Sequence, residues 1–358
     1  MENKQRLLSL DVLRGLTVAG MILVNNGYGE SFEMLRHSQW NGMTPCDLVF
    51  PFFLFIMGVS CYLALSRVNF SPSKPVLWKI CKRAFLLFFI GVAIHWFDMA
   101  IWGNPFDFAH LRIWAVLQRI ALCYLFASLF AIFVNHRWTL LTIVVLLIIY
   151  SLILIYGHGY SEDAAENILA QVDLRLFGYD HLYHKGPVDP EGLLGTISGI
   201  AHTLIGFYCG RLIKTRKSIE QKNIGIFVLA AVLIIGGYLL TFGLPLNKRI
   251  WSPSYVLVTC GLASLLLGLF VYIIDIRGSQ CWAHPFRVFG MNALALYVAS
   301  ELLAILFGRF GVSTFIYDAL HAVIAPLKWA SLAYSVTFVL INYLLGYLLY
   351  RRHIFIKL

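Results

Sequence analysis

Residues 138–156 read WTLLTIVVLLIIYSLILIY, nineteen positions without one charged side chain. At about 1.5 Å of rise per residue, a helix of this length matches the roughly 30 Å core of a bilayer. Runs of similar character recur along the chain, giving ten apolar segments at about residues 7–27, 47–67, 81–98, 113–134, 138–156, 194–213, 224–243, 253–274, 286–308 and 329–350. Composition agrees with that count. Of 358 residues 59% are hydrophobic and 13% charged, with mean hydropathy +0.76, whereas soluble domains carry about 45–50% apolar and about 25% charged residues. Such a chain cannot coat itself with polar groups, which excludes both a water-faced enzyme and a disordered segment. The expected fold is an all-α polytopic membrane protein with about ten transmembrane helices, forming one integral domain over residues 1–358.

Charge then orients the bundle. With ten spans both termini share a face, and eighteen Lys and Arg fall there, including Lys4, Arg6 and Lys357 and the clusters 67–83 and 211–222. Eight, among them Arg112, Lys185 and Lys248, fall opposite, and Arg14 and Arg119 lie within spans. The positive-inside rule puts the termini in the cytoplasm, so the expected location is the inner (cytoplasmic) membrane. Most acids crowd the outward loops, above all loop 157–193, and a loop that long is usually functional. The net charge of +10 contains no long basic block, so no nucleic-acid partner is expected. Seven cysteines without ligand-like spacing read as small buried hydrophobes, with no disulfide framework and no metal. Asp11 and Arg14 interrupt the first apolar run, so a cleavable signal peptide is not expected.

Ionisable groups at membrane depth are costly and ask for an explanation. Asp11 and Arg14, three residues apart, share one helix face as a local ion pair. Arg119, beside Gln118, has no neighbouring acid and needs a carboxylate, a carbonyl or a ligand phosphate from across the bundle. The first outward loop holds the densest cluster, His37 followed by Trp40, Asn41 and then Asp47. Imidazole takes and gives protons near neutral pH and Asp47 is placed to orient it, although a loop histidine is more often merely solvated. Asp180, His181, Asp189 and Glu191 enrich the long loop, and Lys248, Trp251, Ser252, Ser254 and Tyr255 open the eighth run. Interfacial anchoring explains Trp251 and Pro253. It does not explain the density of acids and cations, which suits a polyhydroxylated or amine-bearing substrate. Walker, dinucleotide, HExxH and GxSxG signatures are absent.

Six motifs in order carry a resemblance. Residues 6–15 (RLLSLDVLRG) with 40–58 (WNGMTPCDLVFPFFLFIMG), then 116–119 (VLQR), 180–183 (DHLY), 189–197 (DPEGLLGTI), 251–255 (WSPSY) and 290–292 (GMN) resemble the heparan-alpha-glucosaminide N-acetyltransferase family. The resemblance covers nearly the whole chain, in a compact bacterial-type form without the luminal domain that precedes this core in lysosomal relatives. It implies a transmembrane acetyltransferase carrying acetyl from cytoplasmic acetyl-CoA to the amine of a glucosamine-type sugar on the other face, and a homodimer. It also implies that His37, in the His-x-x-Trp-Asn-Gly motif, is the active histidine and that Asn25 matches an upstream asparagine that serves the coenzyme. On this reading His37 and Asp47 are catalytic. Gln118, Arg119, Lys248, Ser252, Ser254, Tyr255 and Asn292 accompany Asn25 around acetyl-CoA. Trp40, Asn41, Asp180, His181, Asp189, Glu191 and Trp251 meet the sugar. Two chemistries stay open, His37 as base for the attacking amine or His37 as acetyl carrier. The rival reading is an amino-sugar permease without acyl transfer; transporters of that kind often show inverted repeats and matched broken helices, and the sequence displays neither.

Overall fold

In lipid a chain satisfies its backbone polar groups internally only as helix or closed barrel, and runs without strand alternation leave the helix. The computed structural model describes residues 7–183 and 186–356; among them there is no strand. Lys4, Arg6, Lys185 and Lys357 of the charge count, and His184 of the long loop, lie outside the described residues. Thirteen α-helices follow in order: α1 (Leu8–Asn25), α2 (Val49–Leu65), α3 (Lys74–Ile101), α4 (Val116–Phe133), α5 (Thr139–Tyr156), α6 (Ile168–Phe177), α7 (Gly195–Thr215), α8 (Ile219–Leu240), α9 (Pro253–Phe270), α10 (His284–Met291), α11 (Ala293–Arg309), α12 (Val312–Val323) and α13 (Leu327–Arg351).

All ten apolar runs are helical. Among the described residues eight helices are long and apolar enough to cross a membrane, or nine if α10 and α11 count as one bent span. The sixth run, 194–213, is α7, which is not among those eight. It buries Thr196, Ser198, His202 and Thr203, because its neighbours are other helices and not lipid. By contrast α3, α5, α8 and α13 turn large side chains outward, such as Phe85, Val144, Val232 and Leu344. The core therefore lies along α1, α2, α7 and α9, with a lipid-facing sheath around it.

Small residues let the inner helices touch. A Cβ on Gly206 of α7 would stand 2.1 Å from the Phe55 carbonyl oxygen of α2, and one on Gly58 of α2 would stand 2.0 Å from that of Thr203. Likewise a Cβ on Gly290 of α10 would stand 2.0 Å from the Asp11 carbonyl oxygen in α1. Backbone-to-backbone contact of this kind is how membrane helices associate without a hydrophobic driving force between them. The expected Asp11–Arg14 pair is present at 3.2 Å, and Arg14 also donates to Ser60 Oγ at 2.9 Å.

Two features depart from the sequence reading. Residues 286–308 do not form one straight helix, since α10 and α11 meet at a 74° bend around Asn292. A broken helix is therefore present where none was expected, although among the described residues it has no matched counterpart. In addition α6 and α12, of 10 and 12 residues, lie in stretches read as connections, being too short to register as spans.

The α2–α7 contact generates a test. Gly206→Val is expected to lower stability by about 1–3 kcal/mol or more through overpacking. Gly225→Ala in α8, where an added Cβ meets nothing within 4 Å, is expected to be neutral or stabilising by up to about 1 kcal/mol. Thermal midpoints of the two variants in one detergent check this; equal midpoints would refute the close contact.

Candidate active site

Asp47 organises the end of the bundle at which α1 finishes and α2 starts. It sits in a 3₁₀ turn, Pro45–Leu48, which leads into α2 and is closed by a capping box with Thr44. Its Oδ2 accepts from the Ser38 and Thr44 backbone N–H groups at 3.1 and 3.0 Å and from Thr44 Oγ1 at 3.1 Å. Those three donors leave Oδ1 for His37 Nδ1, 2.7 Å away. A carboxylate only accepts, so Nδ1 carries the hydrogen and Nε2 is the basic nitrogen. Asp47 is fully buried, whereas 48% of the His37 side chain is exposed. The acid is fixed in protein and the ring faces outward.

Two further groups crowd the ring. Lys248 Nζ stands 2.9 Å from His37 Nδ1, 3.3 Å from Nε2 and 3.4 Å from Asp47 Oδ1. Cys46 Sγ lies 3.1 Å from Nδ1. Lys248 arrives on the loop that precedes α9, and that loop is tied down from several sides. Gly42 donates its N–H to the Leu246 carbonyl at 2.7 Å, and Asn247 Nδ2 donates to Asn41 Oδ1 at 3.3 Å. Ser252 Oγ caps α9, accepting from the N–H groups of Tyr255 and Asn247. Tyr255 donates its hydroxyl to the Asp47 carbonyl at 2.6 Å, and Ser254 donates to that of Pro245 at 3.1 Å. Ser252, Ser254 and Tyr255, expected around the coenzyme, are thus buried braces of the His37–Lys248 pairing.

A second cluster gathers the loop acids. Arg112 Nη2 bridges Asp189 Oδ1 at 3.2 Å and Glu191 Oε2 at 3.1 Å, with Tyr183 beneath its guanidinium. Asp189 also accepts from the Tyr183 and Glu191 N–H groups. Three residues after Asp189, the Gly192 carbonyl accepts from Arg119 Nη2 at 2.8 Å, and Arg119 lies over the Trp251 ring at 5.1 Å. The partner across the bundle is a carbonyl, one of the three expected. Arg119 Nε and Nη1 and both polar atoms of the Gln118 amide are buried with no protein partner, which leaves donors and an acceptor free for a polar ligand. Glycine at 195 makes room for this guanidinium, since a Cβ would come within 2.6 Å of Arg119 Nη2 and displace it.

The remaining expected residues divide. Trp40 donates its indole N–H to the Tyr160 carbonyl at 3.0 Å and is buried, while Asn41 is exposed beside Asn247. Trp251 is buried, among Phe50, Tyr255 and His202, and offers no open face. His181 is held by the Leu111 carbonyl at 2.7 Å, and Asp180 is exposed. Asn25 hydrogen-bonds Glu301 of α11. Asn292 stands apart from His37. It flanks Gly290, which packs on the Asp11 end of α1, about 20 Å of helix from Asn25. Its amide donates to the Ile354 carbonyl and accepts from the Ile356 N–H, at 3.0 and 2.9 Å.

Four site residues escaped the sequence reading. Cys46 was grouped with inert thiols, and it is buried, yet it touches the histidine. Arg112 was counted only as an outward cation, although its position four residues before the VLQR motif was a usable signal. Asn247 opens the polar run 247–255, which was a usable signal, and Asp173 is one of the loop acids, where sequence offers charge but no geometry. Asp173 lies under the 189–193 turn, accepting from the Leu193 N–H at 3.0 Å, and a Cβ on Gly192 would meet it at 1.9 Å.

Comparison with known proteins agrees with the motif resemblance. Residues 6–173 match the family model described as heparan-alpha-glucosaminide N-acetyltransferase, catalytic. A heparan-alpha-glucosaminide N-acetyltransferase of Mus musculus is 29% identical over 357 residues, covering 83% of this chain and 54% of its own length. The Homo sapiens protein of the same name is 27% identical over 423 residues, covering 99% of this chain and 60% of its own. The chain thus spans a little over half the length of the curated relatives it matches. Among the described residues no group of His, Cys, Asp and Glu is arranged to hold a metal ion.

Asp173 supplies a pH test. Burial pushes its carboxyl up to about 6, against the opposing Leu193 N–H. With the folded value raised above an ordinary one of about 4, its contribution to stability is complete below about pH 4 and is lost as pH rises through about 6. Relative to Asp173→Asn, the wild type is expected to lose up to about 3 kcal/mol between those limits. Parallel unfolding profiles for the two proteins would contradict that assignment.

Proposed function

We propose that this chain moves an acetyl group from acetyl-CoA on the face that carries its termini, the cytoplasmic one, to the amine of a glucosamine-type sugar on the opposite face. The observation that carries the reading is the His37–Asp47 pair, at 2.7 Å, with the Lys248 ammonium against the same ring. The names of the matched relatives support an N-acetyltransferase acting on glucosamine.

A thioester already holds a good leaving group, so the protein has to position, deprotonate and stabilise charge. The sugar arrives as an ammonium and must lose a proton before its nitrogen attacks. His37 Nε2 takes that proton, while Asp47, saturated on Oδ2, keeps Nδ1–H in place and balances the imidazolium. The freed amine adds to the thioester carbonyl, the C–S bond breaks, and the departing coenzyme A thiolate takes up a proton as the nitrogen loses its second, leaving the amide and the free thiol. Lys248, beside the ring, meets the negative charge that develops on the thioester oxygen. Behind this pair Gln118 and Arg119, whose buried polar atoms lack protein partners, hold the amide and phosphate groups of the coenzyme. At the outer mouth Glu191 and Asp189, already paired with Arg112, and the exposed Asp180 receive hydroxyls and the ammonium.

The decisive experiment gives acetyl-labelled acetyl-CoA and glucosamine to protein in nanodiscs, following free thiol and labelled sugar together. Wild type is expected to label the sugar. His37→Ala is expected to lose transfer by about 10²–10⁴-fold while staying monodisperse, and Asp47→Asn to lose at least about 10²-fold. Substantial turnover by His37→Ala removes the histidine from the chemistry. Absence of thiol release with any amino sugar, alongside sugar uptake into proteoliposomes, means a permease instead. Glu191→Gln is expected to raise the acceptor KM with little change in the KM for acetyl-CoA; an unchanged acceptor KM and kcat excludes Glu191 from the sugar site.

A further inference from the structure

On the lipid-facing side of the bundle, two neighbouring concavities share a wall. The first is an apolar groove of about 300 Å³ in which Leu140, Val144, Leu147 and Ile148 of α5 face Leu229 and Leu233 of α8. The second, about 540 Å³, opens at the start of α5 and the end of α7, and is lined by His136, Arg137, Tyr208, Arg211, Thr215 and Arg216. Leu140 and Tyr208 line both, so the groove runs directly into the basic pocket. We propose that this composite site holds one anionic phospholipid, its phosphate in the Arg137–Arg211–Arg216 pocket and an acyl chain along the α5–α8 groove.

Charge and shape select that occupant. No acidic residue lines either concavity, and among the described residues none of the three arginines forms an ion pair with a carboxylate. Arg211 Nη1 donates to the His136 carbonyl at 2.7 Å, and the His136 ring is packed on Phe70 and Phe207. The pocket floor is therefore built before any ligand arrives. Guanidinium groups suit phosphate oxygens, which they engage in pairs, and basic pockets between membrane helices are places where anionic head groups bind. Trp138, half-exposed with Arg137 over its ring at 5.1 Å, marks the headgroup depth that indole prefers.

The groove favours a lipid over a soluble phosphate. From Leu140 to Ser151 it covers about 17 Å of helix, close to the depth of one leaflet. Val144 and Ile148 are half-exposed on the lipid-facing side of α5. A pantetheine arm laid there would strand its amides, because Ser151 and Tyr208 are the chief polar side chains on its walls. The basic pocket lies at the opposite end of α5 from Tyr150, whose hydroxyl binds the Ile250 carbonyl beside the Lys248 loop. The phosphate position is therefore distinct from the histidine site, while the groove runs on to Ser151 and to Pro253 at the head of α9.

Native mass spectrometry of protein taken from bilayers of phosphatidylglycerol and phosphatidylcholine tests the assignment. Wild type is expected to retain one phosphatidylglycerol and to release phosphatidylcholine. Arg137→Gln with Arg216→Gln, two exposed positions, is expected to cut that retention at least about tenfold. Val144→Trp, which fills the groove and spares the arginines, is expected to do the same. Equal retention by wild type and the arginine variant overturns the proposal, as does full retention by Val144→Trp. Displacement of the lipid by millimolar inorganic phosphate or by coenzyme A assigns the pocket to a soluble phosphate and overturns it too. Acetyl transfer by the arginine variant in neutral lipid is expected to match wild type, so failure here is separable from failure of the acetyltransferase reading.

Discussion

One carboxylate ties one end of this bundle together. Asp47 has no exposed side-chain surface, and a buried charge is tolerable only where its oxygens are occupied. Ser38 and Thr44 occupy one oxygen, and His37 with Lys248 the other. Its carbonyl meanwhile accepts from Tyr255 at the head of α9. Three separate pieces of chain, the 36–44 loop, the start of α2 and the 245–255 segment, are thereby held in one register. The imidazole is positioned as a consequence of this accounting, and the rest of the site follows from where the ring is held.

Constraints of the same kind recur deeper in the molecule. Arg119 cannot reach water, so it takes a backbone carbonyl and an indole face. That choice fixes the 189–193 turn, and the turn in turn presents Asp189 and Glu191 to Arg112. Glycine sets how near the pieces come, because a methyl group at Gly195 would displace the Arg119 guanidinium and one at Gly192 the Asp173 carboxyl. Local backbone chemistry and long-range charge pairing therefore specify the same arrangement, as expected of a sequence that encodes one structure.

Much of this was legible beforehand, and for definite reasons. Membrane spans announce themselves because lipid demands long apolar runs, and Asp11–Arg14 and His37–Asp47 are near enough in sequence to be paired on paper. The break at Asn292 was not legible, since the 290–292 motif marks the place but one glycine and one asparagine within an apolar run do not by themselves dictate a bend. Nor was the tail contact there, which depends on backbone groups of Ile354 and Ile356. Arg112 with Asp189, and Lys248 with His37, join residues 77 and 211 positions apart, a distance at which sequence offers charge but no geometry. The short helices α6 and α12 were invisible for the opposite reason, carrying amphipathic patterns too brief to stand out from loops.

The helix at the centre of the bundle raises a question of manufacture. α7 keeps its serines, threonines and His202 inside, and its glycines against α2. A segment so polar gains little by partitioning into hydrocarbon alone, since each unpartnered hydroxyl or imidazole carries a desolvation cost. Its place in the membrane is secured by neighbours that supply carbonyls and close backbone surfaces, as Pro51 does for His202 at 2.8 Å. Biogenesis thus has an order written into it: α2 and α4 precede α7 along the chain, so the surface that receives it is synthesised before it emerges from the ribosome.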